Sequence, residues 1–185
     1  MTFTAEPLSE LPDVWLIKPT VFPDERGQFL ETWQAHKFSD IGVEAAFVQD
    51  NQSSSHRGVL RGLHYQLPPH AQGKLVRVVS GEVFDVAVDI RRSSPTFGKW
   101  AGQILSDATQ QMLWIPAGFA HGYLALSDHA IVVYKASAVY AADAERSLRW
   151  DDAEIGIEWP EVDGGPILSS KDIEAPVMAD ADMFP

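Results

Sequence analysis

The sequence predicts a mainly β protein, folded as an antiparallel sandwich or barrel. From residue 70 onward, short segments alternate apolar and polar residues with a period of two, which is typical of half-buried strands. Turn-forming Gly, Pro, Ser and Asp residues separate these segments. A chain of 185 residues with 45% hydrophobic residues is long enough to bury a substantial core. We therefore expect one domain over residues 1–185.

The predicted elements begin with one early segment of helical length, "LETWQAHKFSDIG", which Gly42 closes as a C-cap. The segments "KLVRVV" and "EVFDVAVDI" flank Ser80-Gly81 and predict a hairpin. Further strands are expected around Pro116-Ala117-Gly118 and after Ser127-Asp128: "QMLWI", "FAHGYLAL" and "HAIVVYKASAVY". After residue 150, prolines, glycines and acids predict an irregular segment with one short helix that begins at Ser169 or Ser170.

Composition and charge narrow the class of function. A formal net charge of -12 argues against nucleic-acid binding as the main task, although a few arginines in a cleft can still hold a small anion. Cysteine is absent, which excludes disulfides, thiolate metal sites and a cysteine nucleophile. No segment approaches the ~20 apolar residues that span a bilayer, and the first residues lack the pattern of a signal peptide. We expect a cytoplasmic protein with neither nucleic-acid nor membrane partners.

Polar groups interrupt the apolar faces of several predicted strands. In "KLVRVV", Lys74 shares a face with two valines, so its ammonium either reaches solvent or lines a pocket where it stabilises negative charge. His64 and His121 stand in similarly apolar segments and raise the question of a metal. A metal site needs three or four convergent ligands, and Gln66, two residues after His64, is a weakly ligating amide. We therefore expect no metal.

Polar residues in two further segments can be explained either by the fold or by a binding site. Gln49, Asn51 and Ser53 alternate, which places three hydrogen-bonding groups on one face of an extended segment, unless this is a polar loop. Tyr134 shares its strand face with Val132 and Ala136, as a core tyrosine with its hydroxyl at the rim would.

Taken together, these segments resemble the dTDP-4-dehydrorhamnose 3,5-epimerase family. The resemblance covers residues 14–176, and six blocks occur in the family's order with little change in spacing. The blocks are "DERGQFLETW", "QDNQSSSHRGVLRGLHYQ", "GKLVRVVSGEVFDVAVDIRRSSPTFGKW", "IPAGFAHGYLALSD", "YKASAVY" and "LSSKDIEAP". The acidic ending over residues 177–185 lies beyond the matched region, and we expect it to be a solvated tail.

The resemblance implies a fold, an activity and a substrate. It implies a cupin-type double-stranded β-helix, or jelly-roll barrel, with short flanking helices, assembled as a homodimer. It further implies a cofactor-independent isomerase that needs no metal and inverts carbons 3 and 5 of dTDP-4-keto-6-deoxyglucose through enolate intermediates. The expected partner is thus a 4-keto-6-deoxyhexose carried by thymidine diphosphate, and the product feeds L-rhamnose synthesis.

The resemblance also implies roles for individual residues. His64 of "RGLHYQ" matches the proton-abstracting base, and Asp172 of "SSKD" matches the carboxylate that orients it. Lys74 matches the residue near the keto oxygen, and Tyr134 matches the proton donor on the opposite face of the sugar. Tyr140 occupies the position that stacks on thymine. The remaining positions that match substrate contacts are Arg26, Glu31, Gln49, Asn51, Arg61, His121, Glu145 and Lys171.

The chemistry explains why these residue types are needed. A proton next to a ketone is removable only if the enolate oxygen is stabilised as charge develops, which requires a base beside a cation. Inversion requires the proton to return from the other face, which a protonated phenol can supply. Because Arg61 and His64 differ by an odd offset, a regular strand would send them to opposite faces. We therefore predict a bulge or loop near Gly62 that turns both into one cavity.

Three alternatives stay open on the sequence. A relative that inverts only one carbon would carry the same named residues. A catalytically silent nucleotide-sugar binder would keep Arg61 and Tyr140 but would not need the base, carboxylate, cation and acid together. A metal-dependent cupin isomerase or dioxygenase is disfavoured by Gln66.

Overall fold

The computed structural model describes residues 2–185 as thirteen strands, two short α-helices and one 3-10 helix (Ala142–Ala144). The first strands are β1 (Phe3–Pro7), β2 (Trp15–Pro19), β3 (Val21–Asp24), β4 (Gly27–Leu30), β5 (Gln49–His56) and β6 (Leu60–Gln66). They are followed by β7 (Lys74–Ser80), β8 (Glu82–Asp89), β9 (Trp100–Ser106), β10 (Met112–Ile115), β11 (Phe119–Ala125), β12 (His129–Ala136) and β13 (Glu145–Ser147). The α-helices are α1 (Ala35–Asp40) and α2 (Ser170–Ile173).

The strands form two main antiparallel sheets and a separate hairpin. The six-stranded sheet has the order β1-β2-β10-β7-β12-β5, and the five-stranded sheet has the order β13-β6-β11-β8-β9. β3 pairs only with β4. From β5 to β13 the chain passes from one sheet to the other at every connection except the one between β8 and β9. This alternation is the jelly-roll arrangement of a cupin-type barrel, so the expected fold is confirmed.

The prediction of a hairpin at Ser80-Gly81 is wrong. β7 pairs with β10 and β12, whereas β8 pairs with β11 and β9 in the other sheet. The turn is therefore a corner between sheets, for which the same small, turn-forming residues are suited. Gly81 has a φ of +81°, and a Cβ at this position would lie 2.2 Å from the backbone oxygen of His129. The close approach of the two chain segments, and not hairpin geometry, requires glycine here.

The helices begin and end at recognisable caps. α1 is shorter than predicted, because Gln34 is its N-cap and accepts a hydrogen bond from the Lys37 N–H at 2.7 Å. Gly42 follows the helix with a φ of +89° and donates its N–H to the Ser39 oxygen at 2.9 Å, as a C-terminal glycine does. The short helix expected at Ser169 or Ser170 is confirmed as α2, with Ser169 as the N-cap.

The core has one layer between the two sheets, a second on the outer face of the five-stranded sheet and a third on the outer face of the six-stranded sheet, where α1 packs. The inner layer contains buried side chains from both sheets, among them Val76 and Val132 of the six-stranded sheet and Val83 of the five-stranded sheet. The outer layer covers Leu63, Tyr65, Val86, Val88 and Ile90 with the last segment of the chain.

Residues 177–185 are part of this outer layer and do not form the solvated tail that we expected. Met178 and Ala181 are 7% and 6% exposed. The Tyr65 hydroxyl donates to the Asp182 backbone oxygen at 2.5 Å, and the Phe184 N–H donates to the Ile90 oxygen at 3.2 Å. The acids of this segment point outward while its apolar residues close the core. Over residues 2–185, no helix is both long and apolar enough to cross a membrane.

Candidate functional site

A bulge in β6 brings the polar residues of that strand to one cavity. In the pairing of β6 with β11, His64 lies opposite His121 and Arg61 lies opposite Tyr123, so β6 has one extra residue between these pairs. Gly62 has a φ of +136°, and a Cβ on it would lie 2.5 Å from the Cα of Gly122. The predicted bulge is therefore confirmed, and Arg61 and His64 line the same cavity despite their odd spacing.

This cavity has a volume of about 440 Å³ and opens between the two sheets. Eight of the thirteen candidate residues line it: Arg61, His64, Lys74, His121, Tyr134, Tyr140, Glu145 and Asp172. The wall is completed by Ser53, Val59, Leu60, Tyr65, Gln66, Gln72, Tyr123, Ile167, Leu168 and Ser169.

His64 is held by a carboxylate from a distant part of the chain. Its Nε2 lies 2.6 Å from Oδ1 of Asp172, and Asp172 Oδ2 accepts a hydrogen bond from the Ser169 hydroxyl at 2.7 Å. Burial alone would raise the pKa of Asp172, but these hydrogen bonds outweigh it and hold that pKa below its ordinary value. An ionised Asp172 accepts the Nε2 proton, which leaves Nδ1 of a neutral His64 free to accept another proton.

Lys74 is buried, which decides against a side chain that reaches solvent. The residue is only 8% exposed, and its Nζ donates a hydrogen bond to the His64 backbone oxygen at 3.2 Å. Nζ also lies 5.8 Å from the centre of the Tyr134 ring. Burial lowers the pKa of Lys74 to about 8, against attraction from the carboxylates of Asp85 and Glu145. At neutral pH the cavity therefore holds a cation beside His64.

His121 stands on β11 and is supported by a carboxylate behind the cavity wall. Its Nε2 lies 3.1 and 3.0 Å from the two oxygens of Asp85, a residue with no exposed surface. Burial lowers the pKa of His121, with the attraction of Asp85 opposing it. The imidazole is therefore neutral near pH 7, with Nε2–H donated to Asp85.

Tyr134 faces His64 from the opposite wall. Tyr134 belongs to the six-stranded sheet and His64 to the five-stranded sheet, so a ligand in the cavity would lie between them. Burial raises the pKa of the Tyr134 phenol, which keeps it protonated at neutral pH.

A hydroxyl cluster beside Tyr134 supports Arg61. The Tyr123 hydroxyl lies 2.8 Å from the Ser53 Oγ and 3.0 Å from the Ser55 Oγ. Arg61 Nε donates to the Ser55 Oγ at 3.1 Å. Arg61 Nη2 also donates to the Ser54 backbone oxygen at 3.2 Å. These bonds direct the guanidinium along the cavity wall, where Nη1 can reach an anion.

Further candidate residues form the rim. The Tyr140 hydroxyl donates to Glu145 at 2.9 Å, and Lys171 forms an ion pair with the same carboxylate at 2.6 Å. Gln49 accepts the Tyr140 N–H at 2.8 Å and donates from Nε2 to Asn51 at 2.9 Å. Gln49 and Asn51 thus share one strand face, as their spacing predicted. The Tyr140 residue is 55% exposed, so its ring is accessible for stacking.

Arg26 and Glu31 lie outside this group. Arg26 forms an ion pair with Asp24 on the β3–β4 hairpin, and its side chain is 85% exposed. Glu31 follows the hairpin and accepts hydrogen bonds from the Thr2 hydroxyl at 3.0 Å and the Lys37 ammonium at 2.5 Å. Within one chain, the structure does not bring these two residues to the cavity.

Three residues that support the site were not predicted to do so. Ser169 orients Asp172, Tyr123 joins the serine hydroxyls, and Asp85 supports His121. Asp85 had a usable signal, because it interrupts the apolar face of "EVFDVAVDI" as Lys74 interrupts that of "KLVRVV". Ser169 and Tyr123 had no comparable signal, since a helix cap and a core tyrosine are common in any fold.

The titratable groups of the cavity are paired in ways that favour proton transfer. The two histidines each use Nε2 toward a carboxylate, and over residues 2–185 no group of three or more His, Asp or Glu is placed to hold a metal ion. A base, a buried cation and a protonated phenol on the opposite wall can in principle abstract a carbon-bound proton, stabilise an oxyanion and return a proton.

Comparison with known proteins identifies the family. The sequence profile of dTDP-4-dehydrorhamnose 3,5-epimerase matches residues 8–180. A dTDP-4-dehydrorhamnose 3,5-epimerase from Shigella flexneri is 56% identical over 177 residues, which cover 95% of this chain and 97% of that protein.

Solved structures agree with the sequence comparison. A dTDP-6-deoxy-D-glucose-3,5-epimerase from Legionella pneumophila, in complex with dTDP-4-keto-L-rhamnose, matches with a TM-score of 0.93 and 44% identity over 97% of this chain and 95% of that one. A 3'-monoepimerase from Streptomyces bikiniensis, in complex with dTDP-quinovose, matches with a TM-score of 0.88 and 36% identity over 94% and 87% of the two chains. The chain belongs to the dTDP-4-dehydrorhamnose 3,5-epimerase family.

Proposed function

We propose that this protein is an isomerase that inverts carbons 3 and 5 of dTDP-4-keto-6-deoxyglucose and thereby supplies L-rhamnose synthesis. One observation carries the proposal: the His64–Asp172 pair and Tyr134 line opposite walls of one cavity, with the buried Lys74 ammonium beside them. The family assignment and the similar structure that holds dTDP-4-keto-L-rhamnose support the same substrate class.

Proton removal is the task that we propose for His64. Asp172 accepts the Nε2 proton, so Nδ1 is the nitrogen that takes the proton from the sugar carbon. The imidazolium formed is stabilised by the ionised Asp172. As the carbon–hydrogen bond breaks, its electron pair moves into the enolate and negative charge grows on the keto oxygen. Lys74 is the group that would stabilise this charge, because its ammonium adjoins the His64 backbone.

Inversion is completed when Tyr134 donates its phenolic proton to the opposite face of the same carbon. The phenol is protonated at neutral pH, since burial raises its pKa further above the ordinary value. Before the second carbon reacts, the phenolate takes a proton from solvent and the His64 imidazolium releases its proton to solvent, so both groups are reset. Each of the two carbons undergoes this sequence, with the ketone at carbon 4 serving both.

The nucleotide end of the substrate is assigned to the rim. Arg61 would bind phosphate oxygens, since a guanidinium suits such contacts, and Tyr140 would offer its exposed ring to thymine. Tyr140 is held by hydrogen bonds to Glu145 and Gln49. Glu145 in turn pairs with Lys171, and Gln49 bonds to Asn51. We propose them as the binding edge of the site.

We also propose that the protein works as a homodimer. Arg26 and Glu31 match substrate contacts of the family, yet they stand on or next to the detached β3–β4 hairpin. The hairpin exposes Phe22 and Phe29, which pair across the two strands and are 50% and 71% exposed. Apolar surface of this kind favours burial against a partner, and a second copy would gain Arg26 for its own site. The cytoplasmic location stays a prediction from the sequence.

The test is proton NMR of dTDP-4-keto-6-deoxyglucose incubated in deuterium oxide with EDTA-treated protein. We expect deuterium to enter at carbons 3 and 5 with the wild-type protein. In the variant His64→Asn, deuterium entry should be slower by roughly 10²–10⁴-fold. His129→Asn is the matched control, because His129 is exposed on the outer side of β12 and bonds to Ser54. Activity that disappears with EDTA and returns with a divalent ion would contradict the metal-free mechanism.

A single-carbon epimerase is the second candidate, and the similarity to the Streptomyces bikiniensis 3'-monoepimerase favours keeping it. The same experiment separates the two. Exchange at one carbon identifies the single-site activity, whereas exchange at both carbons with the product of double inversion identifies the 3,5-epimerase. No exchange at either carbon would overturn both and leave a nucleotide-sugar binder.

A further inference from the structure

Asp85 is a buried carboxylate next to the cavity that the mechanism above does not use. It lies in the middle of β8, a central strand of the five-stranded sheet, and has no exposed surface. Val83 and Ala87 share its strand face and belong to the apolar core. A carboxylate in such surroundings is costly unless it is paired, so its presence needs a reason.

We propose that Asp85 is a positioning residue, which fixes the orientation and tautomer of His121 and places a buried negative charge behind the cavity that Lys74 lines. The proposal rests on the proposed function, because it deepens the role given there to Lys74. Asp85 itself does not line the cavity; it acts through the two residues that do.

The contacts of His121 are the first argument. Both oxygens of Asp85 face its Nε2, at 3.1 and 3.0 Å, so the carboxylate determines which nitrogen carries the proton. With Nε2–H donated to Asp85, Nδ1 of the neutral ring is an acceptor. His121 lies directly opposite His64 across the β6–β11 pair. The two histidines of the cavity are thus each held in one tautomer by a carboxylate from behind.

The charges around Lys74 are the second argument. The groups that act on it or contact it are His64, His121, Tyr134, Glu145, Lys171 and Asp85. Glu145 is already engaged by Lys171 and by the Tyr140 hydroxyl at the rim. Asp85 exerts the larger attraction of the two acids, and it opposes the burial that otherwise lowers the pKa of Lys74. Its other close partner, His121, is neutral near pH 7, so its negative charge is not cancelled.

The test is Asp85→Asn, which keeps the shape of the side chain and removes the charge. The titration of Lys74 is followed by NMR in protein labelled with ¹³C at lysine Cε, with Lys74→Met identifying its signal. We expect the pKa of Lys74 to fall by about one unit or more, as loss of a neighbouring opposite charge predicts. An unchanged Lys74 titration would overturn the proposal. This measurement needs no substrate, so its outcome is independent of the proposed function.

The pH dependence of kcat distinguishes this electrostatic role from a purely structural one. The alkaline limb of the kcat profile should shift to lower pH by about the same amount. Asp89→Asn is the matched control: Asp89 is equally buried on the same strand but pairs with Arg91 away from the cavity. It should lower Tm and leave the pH profile in place. An equal shift in both variants would contradict the assignment.

A measurement on the wild-type protein tests the proposal even if the Asp85→Asn variant does not fold. Long-range ¹H–¹⁵N NMR reports the tautomer of each histidine. We expect His121 to be neutral and protonated at Nε2 at pH 7. A ring protonated at Nδ1 alone would show that Asp85 does not hold it, and the proposal would fail.

Discussion

The buried ammonium of Lys74 lowers the stability of the fold and is the cation that the proposed reaction needs. Its pKa of about 8, against an ordinary 10.5, corresponds to about 3 kcal/mol of unfavourable burial of the charged form at neutral pH. Val76 and Val78 on the same strand face pack into the core without such a cost. The protein therefore keeps a destabilising cation where the proposed enolate oxygen would form.

Lys74→Met should raise stability while it removes activity. Met fills a similar volume without a charge, so we expect a higher Tm at pH 7 and loss of deuterium exchange. Because the folded-state pKa lies below the unfolded one, the wild-type penalty is present below pH 8 and disappears as pH rises toward 10.5. The gain in Tm should shrink accordingly. Lys99→Met changes the same charge at an exposed site and should change neither property; a lower Tm in Lys74→Met would contradict the argument.

At the scale of single elements, α2 and the β6 bulge are what position the His64 side chain. α2 is only four residues long, yet it carries Asp172 to a histidine 108 positions earlier. The bulge in β6 turns that histidine to the cavity that Arg61 also lines. Both elements depend on local contacts that small substitutions can remove.

Ser169→Ala should loosen the carboxylate that holds His64. The variant removes the N-cap of α2 and the hydroxyl that donates to Asp172, so we expect a loss of about 0.5–2 kcal/mol in the free energy of unfolding. The folded-state pKa of Asp172 is lowered, so its stabilisation is present above the unfolded pKa and lost as pH falls. Without the Ser169 bond this acid loss should begin at a higher pH. Chemical denaturation across pH 3–7 measures both effects, and Ser170→Ala, an exposed neighbour, should match the wild type.

Gly62→Ala should disrupt the bulge. The added Cβ would lie 2.5 Å from the Gly122 Cα in a backbone region that is strained for alanine, so we expect a loss of about 1–3 kcal/mol and a lower kcat. Gly27→Ala is the stability control, because Gly27 has a similar φ of +132° and nothing within 4 Å of the added Cβ. Thermal unfolding compares the two. Equal losses in Tm would mean that the backbone conformation, and not the contact with β11, sets the cost.

At the scale of the whole molecule, the contacts of a single chain do not explain the β3–β4 hairpin. Neither strand pairs with the two main sheets, and its facing phenylalanines are exposed. A second copy that covers this surface would explain both facts and would bring Arg26 to a site.

Phe29→Glu should therefore shift the protein from dimer to monomer. A buried charge at the interface would be unpaired, which costs several kcal/mol of association energy. Sedimentation velocity should give twice the 20.4 kDa chain mass for the wild type and the chain mass for the variant. Ile104→Glu introduces the same charge on the exposed edge strand β9 and should stay dimeric. A monomeric wild type would refute the dimer.

Several elements were predictable because their signal is local. The strand near residues 74–79 and the strand near 119–126 follow from period-two alternation, the end of α1 follows from Gly42, and the start of α2 follows from a serine cap. The bulge at Gly62 was predictable too, since two residues meant for one cavity stood at an odd spacing. Alternation, however, defines the faces of a strand and not its partner, and this is why the hairpin at Ser80-Gly81 was wrong.

The sequence by itself determined the class of fold, the strand faces and the family, because these depend on neighbouring residues and on ordered motifs. Only the tertiary structure decided that Lys74 is buried, that Asp85 stands behind His121 and that residues 177–185 cover the core. The physical reason is that burial and pairing depend on contacts between distant positions, such as Asp172 with His64 or Tyr65 with Asp182. A strand's own pattern cannot reveal which charge from the other sheet will face it.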